Sequence, residues 1–260
     1  MSGAGIHPSA QIDAGARIGA GTSVGAYSII GADVDIGEQC EIHPHAVIQG
    51  PTSLGPRNRI FPFVCIGMEP QDLKFGGERT RLEIGEANTF REGVTVHRGT
   101  VGGGGVTRIG SHNLLMAGTH IAHDCIVADH VIFANAATLA GHVIIEPGAT
   151  IGAFSGVHQF CRVGSHAYIG GYSVVTQDAL PFVLTVGNRA QSHGINVIGL
   201  QRKQFSDEAI RALRRAYRTL FRSHQPLEAS IDKVRDEFSG QKEVEQLVAF
   251  IQSSRRGVIR

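Results

Sequence analysis

The stretch GTHIAHDC, residues 118–125, places two histidines, an aspartate and a cysteine within eight residues. An imidazole titrates near neutral pH, and an adjacent carboxylate can fix its tautomer, so His123 beside Asp124 has the composition of a general base. The same residue types also suit a zinc site, or a cysteine nucleophile with its base. Which chemistry is possible depends on where each side chain points, and therefore on the backbone that carries it.

Aliphatic residues recur at every sixth position along most of the chain. The series runs from Ile6 to Ile66, resumes from Ile84 to Val96, and continues from Ile109 to Val175. Small side chains occupy the position two residues earlier, on the same side of a strand, and turn-forming residues crowd the positions that follow. Each hexad therefore predicts one short strand and one corner. Three hexads close a coil of about eighteen residues, and stacked coils form a solenoid with a narrow aliphatic core.

Two segments break this rhythm and predict loops, near residues 68–82 and 98–108. In the first, Asp72 and Glu78 stand at positions where aliphatic residues are expected. The second contains four consecutive glycines without the strand and helix of a phosphate-binding loop, and therefore predicts a flexible segment.

The hexad pattern ends near Pro181, and from Ser206 onward the hydrophobic period becomes helical. Two further amphipathic stretches cover about residues 227–238 and 242–253. We therefore expect a solenoid domain over residues 1–189 and a helical domain over residues 190–260.

The phase of the repeat decides which reactive side chains face outward. Cys125 occupies a small inward position, as do Cys40 and Cys161, so all three are predicted to be core residues. His120 directly precedes the core residue Ile121 and points outward. His123 begins the corner, where strand alternation no longer applies, and can share its edge.

The coil length then aligns residues that are distant in the sequence. One coil of about eighteen residues beyond His123 and Asp124 brings Gly141 and His142 into line, and a second coil brings His158 and Gln159. The predicted outward column favours general-base chemistry on a hydroxyl, with neighbouring amide or imidazole donors for an oxyanion.

Composition excludes several classes of function. A formal net charge of +1 argues against a general nucleic-acid binder. No signal peptide is visible, and no apolar run reaches the roughly 18 residues of a membrane span. Four cysteines without CxxC spacing fit a reducing compartment, so we expect a cytoplasmic protein.

Longer motifs make the pattern more specific. Besides the hexads, the chain contains the motifs QDLK, TVHRGT, NLLMAGTHIAHDC, ATLAGHV, VHQF, NVIGLQRKQFS and SSRRGVIR. With these motifs it closely resembles the UDP-N-acetylglucosamine O-acyltransferases over nearly its whole length. The resemblance implies a mainly β fold, a left-handed parallel β-helix with a C-terminal α-helical appendage. It also implies homotrimers with sites between adjacent solenoids.

The reaction that this resemblance implies is the first step of lipid A biosynthesis. An (R)-3-hydroxyacyl group passes from acyl carrier protein to the 3-hydroxyl of UDP-N-acetylglucosamine, by histidine general-base catalysis without a covalent acyl-enzyme. No cofactor or metal of the enzyme is implied, because 4'-phosphopantetheine arrives on the carrier protein. The helical tail and nearby basic residues would contact that acidic partner.

The family pattern also implies residue roles. His123 corresponds to the general base, Asp124 to its supporting carboxylate and the amide of Gly141 to the oxyanion donor. The sugar and acyl site would be lined by Gln71, Asp72, Lys74, His120 and His142. The nucleotide end would contain His158, Gln159, Asn196 and Arg202. Gly171 corresponds to the position that limits acyl length, where glycine leaves room for a long chain.

The chain departs from the family pattern at two positions, since Ile198 replaces a glutamate and Lys203 an arginine of a better-known member. Three alternatives remain: a non-catalytic solenoid scaffold, for which His123→Ala would change nothing measurable, and two other enzymes. A zinc hydratase similar to the γ-class carbonic anhydrases uses the same solenoid, but its histidines five residues apart are missing here. The sibling N-acyltransferase carries a separate domain before its solenoid, whereas these repeats begin at Ile6.

Overall fold

The computed structural model describes residues 5–223 and 225–260 and contains three β-sheets wound around one core. As far as Val174–Val175, successive strands enter successive sheets and pair in parallel with the strands of neighbouring coils, whereas Val183–Val186 and Gln191–Ile195 pair antiparallel within the third sheet. Gln11 pairs with Ile29, and Ile132 with Thr150, so one coil spans 18 residues as the hexads predict.

The strands are short because a corner follows almost every pair of residues. The first sheet contains Gln11–Ile12, Ile29–Ile30, Val47–Ile48, Cys65–Met68, Thr95–His97, His120–Ile121, Thr138–Leu139, Gly156–Val157 and Val174–Val175. The second contains Arg17–Ile18, Val34–Ile36, Thr52–Leu54, Arg81–Ile84, Val106–Ile109, Ile126–Val127, Ile144–Ile145 and Arg162–Val163. The third contains Ser23–Val24, Glu41–Ile42, Arg59–Ile60, Thr89–Phe90, Leu114–Leu115, Ile132–Phe133, Thr150–Ile151, Tyr168–Ile169, Val183–Val186 and Gln191–Ile195.

Left-handed backbone conformations make the corners. Asp124, His142 and Phe160 occupy equivalent corners with φ of 61°, 62° and 62°. Aspartate tolerates this region better than most residues because its short side chain bonds the local backbone. The corner side chains of successive coils therefore point outward and lie above one another, which is how the solenoid lines up polar groups.

The aliphatic positions form the core, as predicted. Ile121 and Leu139 are completely buried, and so are the inward cysteines Cys125 and Cys161. The prediction is wrong for the first coil, where Ile6 is 53% exposed. No described coil lies below it, so one side of that residue has no packing partner.

Four α-helices follow the last strand. They are α1 (Val197–Arg202), α2 (Asp207–Phe221), α3 (Leu227–Glu237) and α4 (Lys242–Ser253). Ser206 caps α2, since its Oγ accepts a hydrogen bond from the Ala209 N–H at 3.1 Å. The short helix α1 was not predicted. Among residues 5–223 and 225–260, no helix combines the length and apolar character needed to cross a bilayer.

Residues 257–260 return to the solenoid after α4. The Asp178 N–H donates to Gly257 O at 3.0 Å, and the Ile259 N–H donates to Asp178 O at 2.9 Å. This pairing inserts the Ile259 side chain into the solenoid core. The segment therefore connects the helices to the last coil of the β-structure.

Candidate active site

The reactive residues collect along one edge of the three-sided solenoid, between the first and second sheets. This edge, called the site edge below, carries the loops 69–80 and 98–105 and the corners 122–125, 140–143 and 158–161. The two predicted loops therefore leave the solenoid beside the predicted histidines.

His123 and Asp124 form a hydrogen-bonded pair on this edge. His123 Nδ1 lies 2.7 Å from Asp124 Oδ2, and the carboxylate side chain is only 1% exposed. A carboxylate can only accept, so Nδ1 carries the proton and donates it. The tautomer is thereby set, and the lone pair of His123 Nε2 is free to accept a proton.

Gly141 lies directly against the His123 ring. A Cβ at this position would be 2.5 Å from His123 Cε1 and 2.8 Å from Nε2, so only glycine fits without moving the imidazole. Within the described residues, the Gly141 N–H donates to no protein acceptor. The edge thus places an unused amide donor next to the proposed base, as an oxyanion site requires.

His142 closes the other side of the carboxylate. Its Nε2 lies 3.7 Å from Asp124 Oδ2, and its ring stacks on Phe160 with centroids 4.4 Å apart. Burial lowers the pKa of His142, and the nearby charge of Asp124 only partly opposes this effect. His142 is therefore a neutral hydrogen-bonding group at neutral pH.

His120 forms part of a second imidazole pair, with a partner that the sequence analysis missed. His97 contacts the His120 ring edge-on at 4.8 Å, and Thr95 Oγ1 lies 2.7 Å from His120 Nδ1. Burial lowers the pKa of both rings, that of His97 to about 4, so both are neutral at neutral pH. The motif TVHRGT contains His97 and could have identified it, because Val96 of that motif pairs with Ile121, the neighbour of His120 one coil above.

Part of the glycine-rich loop, which was predicted to be a flexible segment, lies against the site, although Val101, Gly102 and Gly104 are exposed. Residues Val101–Gly103 form a short 3-10 helix that lies on Asp124, and a Cβ on Gly103 would collide with that carboxylate. Thr100 donates its N–H to Asp124 Oδ1 at 2.7 Å and its hydroxyl to Oδ2 at 2.6 Å. Thr107 Oγ1 accepts the Asp124 N–H at 2.7 Å. No spacing rule identified these contacts, because the loop lies outside the repeat.

The other loop carries Gln71, Asp72 and Lys74. Gln71 and Lys74 are exposed, while Asp72 is half-buried and its carboxylate accepts the Lys74 N–H at 3.0 Å. The charge of Asp72 also acts on His142, raising its pKa against the larger effect of burial. The loop therefore faces the site edge. At the far end of this edge, His158 and Gln159 are exposed one coil beyond His142.

The remaining predicted residues lie on different edges of the same chain. Asn196 donates from Nδ2 to His166 O at 3.3 Å, at the edge between the second and third sheets, and it also caps α1. Arg202 is exposed at the end of that helix. Gly171 is exposed at the edge between the third and first sheets, where a Cβ would lie 3.3 Å from Ala153 O. One chain therefore does not bring these residues to His123.

The two departures from the family pattern lie beside Asn196. Ile198 is exposed, and Lys203 Nζ donates to Gly148 O with His166 Nδ1 at 3.4 Å. Burial lowers the pKa of Lys203. The Lys203 ammonium group thus already donates a hydrogen bond within its own chain.

Cys125 does not take part in the site. Its Sγ donates to Ala140 O at 3.2 Å inside the solenoid, and burial raises the pKa of the thiol to about 12. A thiolate is therefore not formed at neutral pH, and the inward direction predicted from the repeat is confirmed.

The donor atoms of His123, Asp124 and His142 lie within 4.8 Å of one another, the spacing of a possible metal site. However, the Asp124 oxygens already accept hydrogen bonds from the Thr100 N–H, the Thr100 hydroxyl and His123. Three of the about four acceptor positions of the carboxylate are thus occupied by protein donors. The contacts fit an acid–base pair better than a zinc centre.

Comparisons with known proteins agree with this geometry. The family model for UDP N-acetylglucosamine O-acyltransferase, domain 2, matches residues 178–259, and the bacterial transferase hexapeptide model matches residues 142–177. The chain is 51% identical over 204 residues to the acyl-[acyl-carrier-protein]–UDP-N-acetylglucosamine O-acyltransferase of Thiobacillus denitrificans, covering 78% of this chain and 79% of that protein.

Solved structures show the same likeness. LpxA from Acinetobacter baumannii is 44% identical with a TM-score of 0.95, covering 98% of this chain and 99% of that one. The UDP-N-acetylglucosamine O-acyltransferase of Moraxella catarrhalis is 42% identical with a TM-score of 0.95 and the same coverage. The expected left-handed parallel β-helix with helices after it is confirmed. By sequence and by structure, the chain belongs to the UDP-N-acetylglucosamine O-acyltransferase family.

Proposed function

We propose that this protein transfers a 3-hydroxyacyl group from acyl carrier protein to the 3-hydroxyl of UDP-N-acetylglucosamine, the first step of lipid A biosynthesis, with His123 as the general base. The mechanism is supported above all by the position of the His123 ring, which lies between Asp124 and Gly141. Its Nδ1 donates to the buried Asp124, and its Cε1–Nε2 edge lies against Gly141, whose N–H has no protein acceptor among the described residues.

The steps follow from this arrangement. Nε2 of His123 removes the proton of the sugar hydroxyl as the oxygen attacks the thioester carbonyl. The Gly141 N–H stabilises the oxyanion of the tetrahedral intermediate. Collapse breaks the C–S bond, and the imidazolium returns its proton to the departing thiolate of the phosphopantetheine. Asp124 stabilises the imidazolium meanwhile, and no acyl-enzyme forms.

The neighbouring imidazoles support this role by staying neutral. The pKa values of His97, His120 and His142 are all lowered, with burial as the largest cause. Neutral rings do not oppose the positive charge that His123 acquires during the reaction. Their ring nitrogens serve as hydrogen-bonding groups for the sugar or the acyl hydroxyl, together with Gln71, Asp72 and Lys74.

A second copy of the chain completes the site. Asn196 and Arg202 lie at a different edge from His123, so one molecule of substrate reaches both sets only between two solenoids. Leu73, on the loop beside the site edge, is fully exposed in one chain, as expected of a residue that packs on a neighbour. Rotational closure gives a homotrimer with three equivalent sites, with His158 and Gln159 at the nucleotide end.

Shared sites predict complementation between two defective variants. His123→Ala removes the base from one edge, and Arg202→Ala removes a nucleotide contact from the other. In randomly mixed trimers, about a quarter of the sites combine two intact edges, so mixing restores activity. If each site belongs to a single chain, mixed trimers show no more activity than the average of the two variants.

The carrier protein binds the helical region. The exposed arginines of α2 and its C-cap are Arg211, Arg214, Arg215, Arg218 and Arg222. They form a basic surface suited to an acidic partner, and association weakens as salt increases. The reaction needs no metal or cofactor of the protein, because the donor brings its own phosphopantetheine. Four unpaired cysteines fit a reducing compartment, and we place the reaction in the cytoplasm.

The central experiment incubates the purified protein with UDP-N-acetylglucosamine and 3-hydroxyacyl carrier proteins of several chain lengths. Mass spectrometry of the sugar nucleotide measures O-acylation, and longer donors are preferred if Gly171 leaves room for the chain. His123→Ala loses most of the rate. Absence of product with every donor refutes the activity, whereas full rate in His123→Ala refutes the base. Treatment with a chelator leaves the rate unchanged, and loss of the O-acylation rate would show that the transfer depends on a bound metal. The zinc hydratase alternative predicts bound metal and no O-acylated product.

A further inference from the structure

The hydroxyl of Thr100 has a fully determined hydrogen-bonding role. It accepts the Gly103 N–H at 3.2 Å, so its own proton is directed to Asp124 Oδ2 at 2.6 Å. The backbone N–H of the same residue donates to the other oxygen, Oδ1, at 2.7 Å. Thr100 is buried, and the 3-10 helix that it caps shields this contact from water.

We propose that Thr100 is a positioning residue for the acyl transfer, which keeps the Asp124 carboxylate aimed at Nδ1 of His123. Both carboxylate oxygens receive a donor from Thr100, which restrains rotation of the carboxylate about its Cβ–Cγ bond. Because Oδ2 bonds both the threonine hydroxyl and His123 Nδ1, the plane of the carboxylate is set for one imidazole orientation. This inference rests on the proposed role of His123.

The glycine-rich loop thereby gains a specific purpose. Gly103 has no side chain because the Asp124 carboxylate occupies the space where a Cβ would be. The close approach brings the Gly103 N–H onto Thr100 Oγ1 and orients the hydroxyl. The chain of donors therefore runs from the loop backbone through Thr100 to Asp124 and ends at the imidazole.

Several ionisable groups face this pair and have to be considered in a pH experiment. His142 Nε2 lies 3.7 Å from Asp124 Oδ2, and His97 and His120 lie close enough to His123 for it to lower their pKa values. Asp72 acts on His142 from the other loop. All of these groups are unchanged in a Thr100 variant, so a difference in the pH profile reports on the missing hydroxyl.

The test compares Thr100→Val, which keeps the shape and the N–H but lacks the hydroxyl, with Thr100→Ser, which keeps both donors. We expect kcat of the valine variant to fall by about 10- to 100-fold, with KM for UDP-N-acetylglucosamine nearly unchanged. The acid limb of its kcat/KM profile moves to higher pH, because a carboxylate with one fewer donor stabilises the imidazolium more. The serine variant recovers most of the rate and the normal profile.

Thr22 provides a matched control. It is a buried threonine in a distant coil, whose hydroxyl donates to Gly37 O at 2.8 Å and accepts the Cys40 N–H at 2.9 Å. Thr22→Val loses comparable bonds and some stability, but keeps the kcat and pH profile of the wild type. Nitrogen NMR of His123 gives a readout that needs no turnover, since only Thr100→Val shifts the Nδ1 signal that reports on the hydrogen bond to Asp124.

The outcomes distinguish the positioning role of Thr100 from the proposed role of His123 as the general base. Retention of the wild-type kcat, pH profile and Nδ1 signal in Thr100→Val overturns the positioning role, even if His123→Ala is inactive. Equal losses in the valine and serine variants with an unchanged profile also overturn it, since they indicate a structural role alone. Full activity in His123→Ala instead refutes the general base, and with it the proposed mechanism.

Discussion

Replacing Gly141 by alanine gives a stringent test of the site, because a single methyl group is aimed at the base. The new Cβ would stand 2.5 Å from Cε1 of His123, whereas ordinary contacts begin at 3.4 Å. The ring must therefore retreat by about 0.9 Å, the difference between these two distances. An alanine backbone at this position adds little strain of its own, because Gly141 does not have a positive φ.

The displacement affects catalysis more than folding. A shift of about 1 Å in a catalytic group costs about 100-fold in rate, so we expect Gly141→Ala to lose about two orders of magnitude in kcat. Moving the ring also stretches the 2.7 Å bond to Asp124. Stability changes little, because alanine lowers the entropy of the unfolded chain by an amount that partly offsets the strain.

The assay is steady-state acyl transfer with a saturating hydroxyacyl carrier protein, together with a urea unfolding curve for each variant. Gly15→Ala is the control, since its Cβ would lie 2.8 Å from Ala32 O, a comparable overlap in a coil far from His123. That variant loses stability but keeps its kcat. If Gly141→Ala folds normally and retains kcat within about twofold, contact with the ring does not govern the position of the base.

Three further predictions test other features. Asp124→Asn lowers kcat by about 1000-fold or more with the fold retained, because an amide does not set the imidazole tautomer; unchanged kinetics would refute the pairing. His97 and His166 have pKa values lowered from 6.5 to about 4, so the unfolded chain binds protons that the folded chain does not. Stability therefore falls as pH drops from 6.5 towards 4, and His166→Gln flattens that slope in urea titrations; an identical slope contradicts the assignment. Ile259→Ala leaves a cavity in the solenoid core and costs about 2–4 kcal/mol, measurable as a lower urea midpoint, and no change would mean that residues 257–260 are not part of the core.

Much of the fold could be read from residue spacing alone. A hexad repeat has one solution in which every aliphatic residue is buried, and that solution assigns Ile121 and Cys125 to the core. The helix boundaries followed from the same kind of evidence, since the cap at Ser206 and the apolar stripe of α2 are local features. The first coil failed the rule because burial depends on neighbouring coils, which Ile6 lacks on one side.

The alignment of His123 with Gly141 and His142 could also be predicted from the sequence, because coils of constant length align residues 18 positions apart. Interrupted coils break this arithmetic. His97 lies one coil below His120, but the intervening loop lengthens the separation, so the regular spacing did not reveal it. Thr100 and Gly103 lie within that loop and had no repeat to place them.

The sequence by itself determined the solenoid, the direction of each strand residue and the position of His123 beside Asp124 on an outward edge. These properties depend on local period and on chain length per coil. Only the tertiary structure decided how Asp124 is held, because its donors come from a loop 24 residues earlier in the chain. The same holds for the separation of Asn196 from His123, which depends on how the chain crosses from one edge of the solenoid to another. Hydrogen bonds between segments outside the repeat have no periodic signature, and only the packed molecule reveals them.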